Sequence, residues 1–365
     1  MKKIIISGGG TGGHIFPAIA IADALKAADK NIEILFVGAE GKMEMERVPK
    51  AGYKIIGLPV TGFQRKISLK NLFFPFGLIA SIWKARKIIK DFKPDVVVGV
   101  GGYASGPILR AAQWKQIPTL IQEQNSYAGV TNKILSQKAN KICVSYTNME
   151  KYFPKAKIIW TGNPVRNDLK NGKNTKTEAM NYFGFSEHKF CILITGGSLG
   201  SLTLNESVAQ NVDFLEKNQN ILLIWQCGGN YFEKYQYSEA AKLKNVKILP
   251  FLERIDLAYF AADIVICRAG ALTISELCLL GKPAILVPSP HVAEDHQTKN
   301  AMSLTEKKAA ILVKDSDAIK TVFVEAKKLL DTPKMRTELS ENILELSKPN
   351  AANDIAFEIE KLIQK

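Results

Sequence analysis

Residues 3–14 read KIIISGGGTGGH: a short, mostly β-branched run, then Gly8, Gly9, Gly10, Thr11, Gly12, Gly13 and His14, with helical periodicity beginning at Ile15. Such a strand, glycine turn and helix start lets backbone approach a phosphate or sugar, while the helix N-terminus supplies N–H groups and a partial positive charge. The same order recurs at 190–201, FCILITGGSLGS. A chain of 365 residues is too long for one ordinary open-sheet domain, so the two turns read as the heads of two halves.

Outward from each head, short apolar runs alternate with longer helical segments, the pattern of a parallel sheet wound with helices. In the first half strands are expected at 3–7, 33–37, 54–58, 95–100, 118–122, 141–145 and 157–161. In the second they are expected at 190–195, 221–226, 246–250, 263–267, 283–287 and 309–313. Turn formers at Gly162-Asn163-Pro164 and the polar stretch 171–176 mark the boundary. The expected domains are 1–163 and 164–346, with a helical segment 347–365 that can return to the first half. The expected class is α/β, with two parallel-sheet halves facing a central cleft.

With 46% hydrophobic and 23% charged residues the composition is that of a globular protein. A formal charge of +14 favours an anionic partner: nucleotide phosphate, nucleic acid or an acidic membrane surface. The five cysteines (Cys143, Cys191, Cys227, Cys267, Cys278) include no CxxC pair and read as reduced core residues. The apolar run at the N-terminus is too short for an export signal, and no window offers an uncharged span of about 18 residues.

Gly8, Gly10 and Gly13 match a GxGxxG fingerprint, but the acidic residue such a site wants after the second strand finds only Glu40 as a poor candidate. A tight turn with no ligand stays open as an alternative. His14 closes this turn, where an imidazole can accept a proton from a hydroxyl. It is the candidate general base, against the alternative that it only packs the helix start. In the second half, the amides of 196–200 and the Ser198 hydroxyl suit a pyrophosphate. In Arg268-Ala269-Gly270-Ala271-Leu272-Thr273-Ile274-Ser275-Glu276, Thr273 and Ser275 can cap the helix and meet phosphate oxygens, and Glu276, one turn in, can accept both ribose hydroxyls. A plain capping sequence would look alike. Residues 294–300 (EDHQTKN) gather polar groups suited to sugar hydroxyls or to a solvated helix start. Asp315-Ser316-Asp317 reads as a solvated turn; no metal ligand set can be named. Across 62–93 an apolar series (Leu69, Leu72, Phe73, Phe74, Phe76, Leu78, Ile79, Ile82, Trp83) is flanked by Arg65, Lys66, Lys70, Lys84, Arg86, Lys87 and Lys90. That suits an anionic membrane surface or an ordinary helix with a basic outer face.

GGGTGGH, GGYASGP at 101–107, QEQN at 122–125, GNPVR at 162–166, GGSLG at 196–200 and RAGALTISE at 268–276 together resemble the MurG family of bacterial glycosyltransferases, in family order over essentially the whole chain. The resemblance implies a GT-B fold of two Rossmann-like domains and an inverting hexosyltransferase of peptidoglycan synthesis. It would move N-acetylglucosamine from UDP-N-acetylglucosamine to the C4 hydroxyl of MurNAc in undecaprenyl-pyrophosphoryl-MurNAc-pentapeptide (lipid I). It implies donor contacts from Thr11, Gly12, Gly13, Asn125, Arg166, Ser198, Ala271, Leu272, Thr273, Ile274, Ser275, Glu276 and Gln297, with the backbone at Leu252 reading the uracil. The family often has two glutamines where this chain has His296-Gln297. The expected partners are the donor, lipid I and an anionic membrane surface at the cytoplasmic face of the cell membrane, with no cofactor and no nucleic acid. Another GT-B glycolipid transferase and a UDP-sugar epimerase are the alternatives. A nucleic-acid binder is disfavoured because no recognised module is present.

Overall fold

The computed structural model describes residues 1–60, 69–166, 169, 174–185 and 190–364. These form two units, Met1–Arg166 with Lys348–Lys365, and Asn167–Ser347.

In the first unit the chain runs β1 (Lys3–Ser7), α1 (Gly12–Ala28), β2 (Glu33–Ala39), α2 (Glu44–Lys50), β3 (Lys54–Leu58), α3 (Leu69–Phe92), β4 (Val96–Gly99), α4 (Ser105–Trp114), β5 (Thr119–Glu123), α5 (Val130–Ser136), β6 (Lys141–Val144) and β7 (Ile158–Trp160). The second opens with α6 (Lys176–Tyr182), β8 (Phe190–Thr195), α7 (Leu202–Ala209), α8 (Val212–Lys217), β9 (Ile221–Gln226), α9 (Gly229–Tyr235), α10 (Glu239–Lys242) and β10 (Val246–Leu249). It continues through α11 (Ile255–Ala261), β11 (Ile264–Cys267), α12 (Ala271–Leu280), β12 (Ala284–Leu286), α13 (His296–Thr305), β13 (Ile311–Leu312), α14 (Ala318–Asp331) and α15 (Pro333–Glu345). A last helix, α16 (Ala351–Ile363), belongs to the first unit.

Every run expected to be a strand is one, and all pair in parallel. Both faces of each sheet are covered, which is why the strands read as continuous apolar runs. Ile4 and Ile6 pack with Ile15, Ile21 and Leu25 of α1 and with Ile355 and Ile359 of α16. Ile5, between them, points the other way, to Ile88 and Ile89 of α3 and Ile108 and Leu109 of α4. In the second unit Ile192 and Ile194 meet Leu204 and Val208 of α7 and Val322 of α14, while Cys191 and Leu193 meet Leu257 and Tyr259 of α11 and Leu277 of α12.

Some strand ends differ from expectation. β2 runs on to Ala39 because Gly38 and Ala39 stay in register with Gly57 and Leu58 of β3. β13 shortens to two residues because Ala309 is still finishing the preceding turn, its N–H donating to Leu304 at 2.9 Å.

Strand order is β3-β2-β1-β4-β5-β6-β7 in one sheet and β10-β9-β8-β11-β12-β13 in the other. Each sheet is therefore wound outward in both directions from its first strand, and the direction reverses between β1 and β4 and between β8 and β11. Ligands of open parallel sheets bind beyond the carboxyl ends of the strands at such a reversal.

All five cysteines are buried and free. Burial pushes the thiols of Cys143, Cys191, Cys267 and Cys278 up to about 12 and that of Cys227 to about 11, so none is a ready nucleophile.

Candidate active site

At the first unit's reversal point the turn after β1 meets Gly101-Gly102 after β4. The two interlock: a Cβ on Gly102 would stand 2.3 Å from the Gly9 carbonyl oxygen. Gly101, at φ +93°, lies against the edge of the His14 ring, where a Cβ would stand 2.7 Å from Cδ2 and 2.8 Å from Nε2. A side chain at residue 101 would collide with this edge of the imidazole.

Thr11 is the N-cap of α1 and Gly12, Gly13 and His14 its first residues, with the His14 N–H donating to the Thr11 carbonyl at 3.1 Å. The His14 Nδ1 lies 3.0 Å from the Gly9 carbonyl oxygen and 3.4 Å from Thr11 Oγ1. A carbonyl oxygen can only accept, so Nδ1 carries the proton of the neutral ring and the lone pair falls on Nε2. The turn therefore presents the basic nitrogen on the Gly101 side.

Asn125 sits just past β5 in a loop held by Glu123. This almost wholly buried carboxylate accepts from the N–H groups of Asn125 (3.1 Å) and Gly129 (3.0 Å) and from Asn132 Nδ2 (2.8 Å). Gln124 Nε2 donates to the Val100 carbonyl at 2.7 Å, tying the end of β5 to the end of β4 beside His14. Gln122 donates to Asn163 Oδ1 at 3.0 Å, and Asn163 Nδ2 donates to the Gln124 carbonyl at 3.1 Å. The QEQN and GNPVR blocks are thus one network. Arg166, at the end of the unit, sets its guanidinium 5.3 Å from the ring centre of Phe16, two residues beyond His14.

In the second unit the turn after β8 folds tightly on the end of β9. A Cβ on Gly200, at φ +80°, would stand 2.1 Å from the Cys227 carbonyl oxygen. Ser198 is exposed at mid-turn, and Ser201 caps α7, accepting from the Leu204 N–H at 3.3 Å. Beside it, after β11, α12 begins. Here the structure corrects the expected caps: the N-cap is Gly270, and Ser275 Oγ donates back to the Ala271 carbonyl at 3.0 Å from inside the helix. The first turn, Ala271, Leu272 and Thr273, carries the N–H groups that have no acceptor within a helix and favour anions. Glu276 is buried, its Oε2 accepting from Tyr259 at 2.9 Å, which orients the carboxylate.

Leu252 follows β10, its side chain in the core. Gln297 Oε1 accepts from the Ser289 N–H at 2.9 Å, placing the start of α13 over the loop after β12. His296 is the first residue of that helix, half-buried. The residues before it, Glu294 and Asp295, hold left-handed φ of 55° and 50°, a conformation other residues than glycine adopt at a cost and one that gathers at functional loops. Ser198, Leu252, residues 271–276 and Gln297 all leave the carboxyl ends of the one sheet.

The triplet 315–317 is not a solvated turn throughout. Asp315 accepts from Thr203 Oγ1 at 3.0 Å and pairs with Arg268, which also donates to the carbonyls of Val287 (3.1 Å) and Pro288 (3.2 Å). Among the described residues no three His, Cys, Asp or Glu side chains are grouped as a metal site would need. Glu40, the weak dinucleotide candidate, pairs with Lys84 at 2.6 Å.

Of the basic-apolar series, residues 61–68 lie outside the described residues, Arg65 and Lys66 with them. On the described part of α3, Phe76, Ile79 and Trp83 are 71%, 54% and 68% exposed, at spacings that put them on one face, and Arg86, Lys87 and Lys90 are exposed just beyond. Among the described residues no helix is long and apolar enough to cross a membrane.

Comparison with known proteins matches residues 4–144 to the glycosyltransferase family 28 N-terminal domain and residues 191–355 to its C-terminal domain. A Flavobacterium psychrophilum protein, named UDP-N-acetylglucosamine–N-acetylmuramyl-(pentapeptide) pyrophosphoryl-undecaprenol N-acetylglucosamine transferase, is 53% identical over 99% of this chain and 98% of its own. The crystal structure of Acinetobacter baumannii MurG superposes with a TM-score of 0.77 at 31% identity, covering 99% of this chain and 100% of that one. A UDP-GlcNAc 2-epimerase from Neisseria meningitidis reaches a TM-score of 0.71 at 17% identity over the whole of both chains, a likeness of fold alone.

Proposed function

The chain belongs to glycosyltransferase family 28, and we propose that it is the inverting transferase that moves N-acetylglucosamine from UDP-N-acetylglucosamine to the C4 hydroxyl of MurNAc in lipid I. The observation that carries this reading is the 53% identity, end to end, to a transferase named for that reaction.

In the proposed reaction the acceptor oxygen attacks the anomeric carbon from the face opposite UDP. The new C4–O–C1 bond forms as the bond from C1 to the phosphate oxygen breaks, and its electron pair leaves on UDP. The hydroxyl proton passes to Nε2 of His14, the nitrogen left basic by the Nδ1 contact to Gly9. Thr11, Gly12, Gly13, Asn125 and Arg166 are assigned to the donor from the first unit. The second unit would hold the UDP: the amides of 196–200 with Ser198 and the first turn of α12 on the pyrophosphate, Glu276 on the ribose, the backbone at Leu252 on the uracil, and Gln297 on the sugar. Preorganised N–H groups of this kind meet the charge that develops on the leaving group. The reading needs no cofactor.

A lipid-linked acceptor requires the enzyme to work at the membrane. The exposed Phe76, Ile79 and Trp83 with Arg86, Lys87 and Lys90 support α3 as the element that docks on an anionic leaflet, at the cytoplasmic face where nucleotide sugars reside. Mass spectrometry after incubation with UDP-N-acetylglucosamine and a lipid I analogue tests the function. The expected product is the analogue heavier by one N-acetylglucosaminyl residue; an unchanged analogue with UDP-N-acetylmannosamine in the nucleotide-sugar pool, told from its equal-mass epimer by proton NMR, would make the protein an epimerase.

A further inference from the structure

Glu44 is the first residue of α2 and is fully buried. A carboxylate is almost never wholly buried unless it is partnered, and its partners here are two backbone N–H groups. Oε1 accepts from Ala39, at the end of β2, at 2.9 Å, and Oε2 accepts from Gly10, in the turn after β1, also at 2.9 Å. Two glycines make room for it. A Cβ on Gly9 would stand 2.1 Å from Oε1, and one on Gly38 would stand 2.6 Å from Cγ. Gly9 and Gly38 thus line a slot shaped to this side chain.

The Gly10 N–H and the Gly9 carbonyl belong to one peptide group. Its N–H donates to Glu44, and its carbonyl oxygen lies 3.0 Å from His14 Nδ1. From these contacts we infer that Glu44 is a positioning residue for His14, acting through the Gly9–Gly10 peptide: His14 Nδ1–H donates to the carbonyl, and the N–H of the same peptide donates to the carboxylate. Hydrogen bonds in a chain polarise one another, so the carboxylate makes the Gly9 oxygen the stronger acceptor. Three consequences follow for His14. Its Nδ1–H tautomer is held, its ring orientation is set, and the positive charge it gains with the proton is drawn toward a buried anion. The arrangement is that of a carboxylate–histidine pair with a peptide group interposed. It rests on the proposed role of His14 as the base.

The full-length protein with 15N-labelled histidine tests this. The chain has 4 histidines, so the His14 ring signals can be assigned by comparison with His14→Ala. In the unaltered protein the ring shifts should report one tautomer, protonated on Nδ1. In Glu44→Gln, which keeps the shape but loses the charge and turns an NH2 toward a backbone N–H, the Nε2–H tautomer should become populated. kcat should fall by about 10- to 100-fold, the range seen when the partner orienting a metal-ligating histidine is removed, with KM for UDP-N-acetylglucosamine within about twofold. A role in folding alone would lower the melting temperature and leave tautomer and kcat unchanged, and that result overturns the inference. Should Glu44→Gln fail to fold, the unaltered protein still decides: a ring protonated on Nε2 breaks the chain of hydrogen bonds and overturns it. The two readings fail separately. Undiminished turnover in His14→Ala removes the base, whereas the tautomer shift in Glu44→Gln measures the link to Glu44 whatever His14 does in catalysis.

Discussion

Around His14 the proposed chemistry reduces to one nitrogen and what surrounds it. Nε2 is the proton-accepting nitrogen because Nδ1 is committed to the Gly9 carbonyl, and a Cβ at residue 101 would stand 2.8 Å from it. His14→Ala should therefore lower kcat by about 10²- to 10⁴-fold, the usual worth of a general base, while the Kd for UDP, measured by calorimetry, stays within about twofold. Gly101→Ala should reproduce that loss with His14 itself still in place, since the methyl would collide with Nε2 and the position needs φ +93°. If steady-state kinetics show Gly101→Ala at full turnover, the ring edge is not where the substrate arrives. At this scale the sequence was only partly legible. The glycines and His14 stand out because they cluster in a few positions after a strand. Glu44 does not, because Met43-Glu44-Met45-Glu46-Arg47 looks like any solvated helix start, and its burial follows from Gly9 and Gly38, which are distant from it in sequence or role. Thr273 and Ser275 look like caps, yet Gly270 ends the loop and takes the cap position itself.

At the scale of elements the strands were readable because a parallel strand buried on both faces is apolar along its length. Ile4, Ile5 and Ile6 all had to be apolar, as two different helical layers claim them. Strand order was not readable. That Gly101-Gly102 lies beside the turn of β1, and Arg268 to Gly270 beside that of β8, depends on β4 and β11 pairing with the first strand of their sheets. The same neighbours explain why blocks far apart in the chain lie side by side within each unit. α3 carries the prediction of this scale. Lys84 is committed to Glu40, so the membrane contact should depend on the outward cations instead. Reversing charge at Arg86, Lys87 and Lys90 should abolish co-sedimentation with anionic vesicles, and binding that persists, or that ignores anionic lipid in the unaltered protein, would rule out α3 as the dock. Each such cation near an anionic surface contributes about 1 kcal/mol, so losing three attractions and adding three repulsions weakens docking by roughly 6 kcal/mol.

For the molecule as a whole, the two units differ in how the chain supplies them. The second is one continuous segment with cores on both faces of its sheet, whereas the first is completed only by α16, which contributes Ile355, Ile359 and Leu362 to the cluster around Ile4, Ile21 and Leu25. Burying one such side chain is worth about 1.5–3 kcal/mol, so the three together rival the stability of an entire domain, about 5–15 kcal/mol. Truncation after residue 347 should melt the first unit while the second still unfolds cooperatively in calorimetry; a single undisturbed transition would show that α16 is dispensable. The division also bears on activity, because the proposed base lies in one unit and the proposed UDP seat in the other. A transferase built this way should release UDP only when an acceptor hydroxyl is present to take the sugar. The direct measurement is the rate of UDP release from UDP-N-acetylglucosamine with and without a lipid I analogue. Release that appears with the analogue, saturates in it and collapses in His14→Ala is the predicted result, and release that proceeds equally without any acceptor would contradict it.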